Sequence, residues 1–200
     1  MKKLLLLSVS LILGVFAHAQ IIPGFSIGPK IGASFTKFTT DQNQIKEEMK
    51  STFHFGAFAR IGKKVYFQPE LLVMSRKGEL KIDQDGSIGK IKVSSLDVPL
   101  LVGFRLVDLK VINVRAMAGP VASMVINKNV QLDEDWNEEF NFAEDNLKDL
   151  NWGFQAGAGV DLLMFTLDLR YELGLNNISD LKAFDLKNNM FTVSLGWKIL

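Results

Sequence analysis

Apolar and polar residues alternate along most of this chain with the period of two that a β-strand imposes on its two faces. The alternation is cleanest between 96 and 106. There Leu96, Val98, Leu100, Val102, Phe104 and Leu106 share one face, and Asp97, Pro99, Leu101, Gly103 and Arg105 share the other. Over 165–175, Phe165, Leu167, Leu169, Tyr171 and Leu173 oppose Thr166, Asp168, Arg170, Glu172 and Gly174. Over 189–200, Phe191, Val193, Leu195, Trp197 and Ile199 oppose Thr192, Ser194, Gly196 and Lys198. Five further segments follow the same rule, at 26–35, 53–61, 65–75, 111–126 and 152–162. Helical periodicity is almost absent. The pattern predicts an all-β chain of eight antiparallel strands.

Alternation alone does not say which face points inward, because a soluble barrel buries its apolar face and a membrane barrel turns it to lipid. Glycine placement decides between them. Gly28, Gly32, Gly56, Gly103, Gly119, Gly153, Gly157, Gly159, Gly174 and Gly196 all fall on the polar set. On a solvated face glycine only weakens a strand, whereas inside a narrow barrel it makes room for long side chains and lets strands bend. The links after the second, fourth and sixth strands are short, and those after the first, third, fifth and seventh run to a dozen residues or more. Tight turns at one end and long loops at the other belong to an up-and-down transmembrane β-barrel with extracellular loops. The competing architecture is a soluble periplasmic, lipocalin-like barrel that buries its apolar face around a small hydrophobic ligand.

The first residues support export. MKK is followed by an apolar run, LLLLSVSLILGVFA, and by the small-x-small site Ala17-His18-Ala19, the layout of a signal peptide. The run falls short of the ~20 apolar residues that span a bilayer. Residues 1–19 are therefore read as the signal peptide and 20–200 as a single barrel domain. The absence of cysteine rules out a lipid-anchored lipoprotein, disulfides and thiolate chemistry. Without Lys2 and Lys3, the 23 basic residues fall to 21 against 22 acidic ones. Such a near-neutral chain has no basic excess with which to hold nucleic acid.

Outward aromatic residues gather toward two levels, as interfacial girdles do. Phe35, Phe53, Phe55, Trp152, Phe154 and Phe191 fall near the outer rim, and Phe67, Phe104, Phe165 and Trp197 near the inner one. The inward set carries Glu70, Asp97, Asp161, Asp168 and Glu172 against Lys30, Arg60, Arg105, Arg115, Arg170 and Lys198, with His54, Gln68, Asn113 and Gln155 among them. An eight-stranded barrel is only wide enough inside for its own side chains. The near balance of charge therefore predicts a filled, cross-linked lumen. Glu70 is expected to pair with Arg60 or Arg105 of the neighbouring strands. Pro29, Pro69, Pro99 and Pro120 each cost a ladder hydrogen bond in a sheet without edges, so bulges or gaps are expected there.

Several segments resemble the porin-like outer-membrane β-barrel proteins of Gram-negative bacteria, which include the PorT-like group. They are IGPKIGASF, YFQPELLVMSRKGEL, LDVPLLVGF, the AGP of the fifth strand, GFQAGAGVDL with LDLRYELGLNNI, and the closing LGWKIL. The resemblance implies an eight-stranded barrel in outer-membrane lipid, inserted by the outer-membrane assembly machinery. The chain departs from the usual pattern by ending in Leu200 instead of an aromatic residue.

Other chemistry is thinly represented. Asp133, Asp135, Asn137 and Glu144 fall at positions 1, 3, 5 and 12 of a calcium loop, but Glu138 stands where that loop needs glycine. The segment reads as a solvated acidic extracellular loop. His54 is the one histidine after the leader, and Ser34 could face it across the first strand pair. No nucleophile elbow surrounds either residue. The sequence thus points to a non-enzymatic, monomeric envelope protein without metal or cofactor, acting through its extracellular loops on a partner it does not name.

Overall fold

The computed structural model describes residues 24–40, 45–82, 88–109, 111–132, 149–176 and 186–199. Eight strands follow in order: β1 (Phe25–Thr40), β2 (Ile45–Gly62), β3 (Val65–Ile82), β4 (Ile88–Asp108), β5 (Ile112–Leu132), β6 (Leu150–Leu162), β7 (Phe165–Gly174) and β8 (Leu186–Trp197). Each pairs antiparallel with the next, and β8 pairs back onto β1 to close the barrel. Closure leaves no sheet edge within the shared span, so the backbone groups there are satisfied by neighbouring strands.

The period-two pattern becomes an inside and an outside with inverted chemistry. Lys30, Arg60, Asp97, Arg115 and Asp168 point inward with no more than 1% of their surface exposed, while Phe53 is 85% exposed and Ile31, Val102 and Leu71 stand open. An apolar band running round the whole barrel cannot rest in water and needs hydrocarbon against it. The soluble, lipocalin-like alternative is thereby overturned, because it requires that band to be the core.

The strands are longer than their alternation suggests. β3 has 18 residues, β4 and β5 have 21 each, and a bilayer takes only about 9–11 residues of a tilted strand. Pairing continues past the apolar band to Ile45↔Ile82, Lys81↔Ile88 and Gly89↔Leu132. The long links anticipated after the first and third strands therefore contract to residues 41–44 and 83–87, while those at 133–149 and 175–185 stay long. Alternation marks only where one face meets lipid; above that level backbone pairing persists without it. At the other end the turns are short, at 63–64, 109–111 and 163–164. Gly62 opens the first of them at φ 124°, a conformation that favours glycine.

The prolines produce gaps, not bulges. On the β2 side of Pro69 the ladder passes from Phe58↔Glu70 to Ile61↔Phe67 with its register unchanged. On the β3 side of Pro99 it passes from Pro69↔Leu100 to Leu72↔Asp97, and on the β4 side of Pro120 from Pro99↔Val121 to Val102↔Ala118. Pro29 lies just beyond Lys30↔Gly196, where the β1–β8 ladder stops. Each proline removes pairs on one side only, as the missing N–H requires. The register shifts lie elsewhere, between Met49 and His54, Ser94 and Ser95, and Arg105 and Val107.

Inside, long side chains stand beside glycines in the ladder. Lys30 pairs with Gly56 on one side and Gly196 on the other, Tyr66 with Gly62 and Gly103, Arg170 with Gly157, and Asp168 and Arg115 both with Gly159. A Cβ on Gly103 would lie 2.1 Å from the Tyr66 ring, and one on Gly159 2.5 Å from the Asp168 carboxylate. The inward glycines are thus the vacant halves of filled positions. The lumen is less uniformly polar than the sequence suggests: Phe58, Tyr66, Leu72, Met74, Leu101, Met117, Val121 and Met190 are also buried in it.

Candidate functional site

Four ionised side chains from three strands meet at the middle of the lumen. Lys30 on β1 donates from Nζ to Glu70 Oε1 at 2.6 Å and to Asp168 Oδ2 at 2.7 Å. Arg170 on β7 donates to both oxygens of Glu70, at 2.6 and 2.8 Å, and to Asp168 at 2.6 Å. Gln68 Nε2 adds a further donor to Glu70 at 2.6 Å. Two cations and two anions balance, and the bidentate Arg170–Glu70 contact is the strongest kind of carboxylate pair. It links residues 100 apart in the chain.

Glu70 therefore does not pair with Arg60 or Arg105, as the strand neighbours had suggested. In so narrow a barrel a long side chain reaches across the lumen more readily than along its own wall. Arg60 instead donates to Gln68 at 2.7 Å and to Asp161 at 2.7 Å. Asp161 also receives Arg115 at 2.9 Å and lies 3.5 Å from Lys198, so three cations share it near the short turns. Arg115 reaches on to Asp168 at 2.5 Å and to the Thr166 hydroxyl. The Tyr66 ring lies 5.1 Å from the Arg60 guanidinium and 6.0 Å from that of Arg115, within cation–π range of both. Arg105 stays outside the network. It lies directly opposite Arg115 in the β4–β5 ladder, and among the described residues its one carboxylate contact is Asp108 at 3.7 Å. Repulsion between facing like charges, together with the register shift beside Arg105, accounts for its exclusion.

Near the loop-bearing end, Asp97 and Glu172 meet a cation that the sequence reading missed. Arg76 donates to Asp97 Oδ2 at 2.6 Å, to Glu172 Oε1 at 3.2 Å and to the Ser95 hydroxyl. Gln155 holds the other Glu172 oxygen at 2.6 Å. Alternation alone ends the third strand at 75. One more step along its inward positions, after Tyr66, Gln68, Glu70, Leu72 and Met74, reaches Arg76.

His54 is boxed in by hydroxyls. Its Nδ1 is 2.7 Å from Ser34 Oγ and its Nε2 is 2.8 Å from Ser194 Oγ. A neutral imidazole donates from one nitrogen and accepts at the other, and two serines satisfy both. Among the described residues no carboxylate hydrogen-bonds to the ring, as a catalytic triad requires, and all three side chains are buried. The calcium-like positions 133–144 lie outside the described residues, as does the leader.

The aromatic residues assigned to the girdles face outward. Phe53, Phe55, Phe67, Phe104, Trp152, Phe154, Phe165, Phe191 and Trp197 are exposed. Phe35 is half-buried, with its ring 6.4 Å from that of Phe191. Val65↔Phe104 and Phe165↔Trp197 sit beside the short turns. Tyr171, which pairs with Phe191 across β7–β8, joins the opposite group.

A charged, packed interior inside an apolar wall is the organisation of a membrane-spanning barrel, and the comparison with family models agrees. The family described as "Outer membrane protein beta-barrel domain" matches residues 18–180. The chain belongs to that family. It resides in the outer membrane. No curated protein matches it. Among solved structures the outer-membrane barrel resembles OprG from Pseudomonas aeruginosa, at 14% identity and a TM-score of 0.53, over 89% of this chain and 96% of that one. It also matches Ail, the attachment invasion locus protein of Yersinia pestis, at 12% identity and a TM-score of 0.48, over 88% of this chain and 99% of that one. At such identities the likeness concerns the fold alone.

Proposed function

We propose that this outer-membrane barrel is a closed, non-enzymatic envelope protein that meets its partner through the extracellular loops and the strand extensions beneath them. The observation that carries the reading is the central cluster, in which Lys30, Glu70, Asp168 and Arg170 join β1, β3 and β7 across the lumen. A pore would have to break several charge-assisted bonds in a low-dielectric interior. Substrate access to His54 meets the same obstacle.

Within this reading, residues 1–19 are removed on export, 20–200 form a monomeric barrel, and the assembly machinery inserts it into lipid, which the aromatic girdles grip at both interfaces. The quoted segments favour the PorT-like group within the family. Purified protein reconstituted in planar bilayers at neutral pH is the test. The expected record is flat, and reproducible single-channel steps refute the closed lumen.

A further inference from the structure

The strands that outrun the apolar band carry a charge pattern of their own. Phe55↔Val73, Val73↔Leu96 and Leu96↔Met124 make an outward apolar row across β2 to β5. Two residues higher stands the pair Ser75↔Ser94, and two higher again Lys77↔Lys92, with both lysines exposed. Like charges directly opposite in a ladder repel. Among the described residues neither lysine meets a carboxylate. The β2–β3 and β3–β4 registers carry Lys46, Lys50, Lys81 and Lys90 at positions on the same side of the sheet, against Glu48 and Glu79. Six lysines thus share that side with two glutamates, an excess of four positive charges. The opposite side starts at buried Val93 and continues through the register positions of Ile91, Leu80 and Ile82, so the basic side is the outward one.

Height identifies what this side meets. A strand tilted by about 40° climbs roughly 5 Å over two residues, and the headgroup layer adds roughly 5–7 Å to each side of the hydrocarbon. Lys77 and Lys92, one such step above the serines that end the apolar face, stand at headgroup level. Excess positive charge at that level lies against lipid headgroups, whose phosphates are its nearest source of countercharge. We propose that this outward face binds the phosphate-bearing headgroup of a lipid in the leaflet at the loop-bearing end, with Lys77 and Lys92 at the centre of the site. Ammonium groups serve phosphate as compact point charges, and one phosphate between the two removes their repulsion. The chains of the same lipid lie along Val73, Leu96 and Met124, which continue the face downward. This site rests on the role proposed above for the strand extensions and is independent of the closed lumen.

Native mass spectrometry of the barrel released from mixed micelles of phosphatidic acid and phosphatidylcholine counts the lipids that stay bound. Phosphatidic acid is expected to be retained over phosphatidylcholine by about tenfold or more, since each lysine at an anionic surface contributes about fivefold. Lys77→Gln with Lys92→Gln lowers that preference about fivefold or more, Lys77→Arg with Lys92→Arg keeps it, and Lys63→Gln with Lys64→Gln at the short turn leaves it within about twofold. All four lysines are exposed, and heat-dependent gel mobility shows that each variant is folded. An undiminished preference in the Lys77, Lys92 glutamine variant, or an equal loss in the Lys63, Lys64 variant, overturns the site. Displacement of phosphatidic acid by millimolar inorganic phosphate identifies a free-anion site and overturns the assignment to lipid. A conducting barrel that keeps the preference refutes the closed lumen alone. A silent barrel that lacks it refutes this site alone.

Discussion

Replacing Glu70 with alanine tests the lumen at its centre. The side chain accepts four hydrogen bonds, from Lys30, Gln68 and both terminal nitrogens of Arg170. Its removal leaves Lys30 and Arg170 with Asp168 as the carboxylate they share, and a balanced cluster becomes singly positive where water cannot screen it. Losing one member of a buried pair costs about 3–5 kcal/mol. At roughly 2–4 °C per kcal/mol for a chain of this size, the unfolding midpoint falls by about 6–20 °C. The assay is the heat-dependent gel mobility of the detergent-solubilised barrel. The control is Asp149→Ala, because that carboxylate is 85% exposed on its contact with Lys128 and such a surface pair contributes ~0–1 kcal/mol. Adding Lys30→Met to Glu70→Ala restores neutrality and recovers part of the loss if charge balance is the cause. Equal, small shifts for Glu70→Ala and Asp149→Ala refute the reasoning, since they place Glu70 in water.

Three further outcomes follow from the same geometry. Protease added to intact cells is expected to cut between Asn129 and Leu150 and to spare Gly62 to Lys64; the reverse pattern, read by mass spectrometry of the fragments, inverts the orientation. Gly103→Ala drives a methyl group into the Tyr66 ring and is expected to cost about 1–3 kcal/mol as an overpacked site, with Tyr66→Leu in the same chain relieving part of it in the gel-mobility assay. Ser34→Ala removes one hydroxyl from a neutral, doubly satisfied His54 and is expected to lower the midpoint by only a few degrees, at about 1 kcal/mol; a collapse of the fold assigns the pair a larger role.

The strand faces were legible because lipid imposes the strictest alternation in the chain, and 96–106, 165–175 and 189–197 carry it almost unbroken. Inward charges followed from parity alone. What parity does not encode is height and reach. It placed Glu70 beside Arg60 and Arg105 on neighbouring walls. The structure brings it instead to Lys30 and Arg170, because flanking glycines at 56, 157 and 196 let those side chains cross the lumen. Arg76 was lost at a boundary drawn where the apolar face ended, although the inward parity continued.

The central cluster also bears on how the barrel chooses its register. Lys30 and Asp168 are 138 residues apart in the chain, and Glu70 and Arg170 are 100 apart. These contacts therefore form only when β1 has come round to meet β8. A one-residue slip at any seam turns every inward side chain of the slipped strand toward lipid. For β7 that exposes Thr166, Asp168, Arg170 and Glu172 at once, and a lipid-facing charge near the bilayer midplane costs about 2–4 kcal/mol for a basic residue. Replacing buried ion pairs with apolar residues is often neutral or stabilising, so the net contribution of these pairs to stability is a weak reason for their presence. Their value as a register lock is the stronger one: the three strands that carry these charges fit together in one closed arrangement, whereas an apolar lumen of the same volume would tolerate a shifted seam.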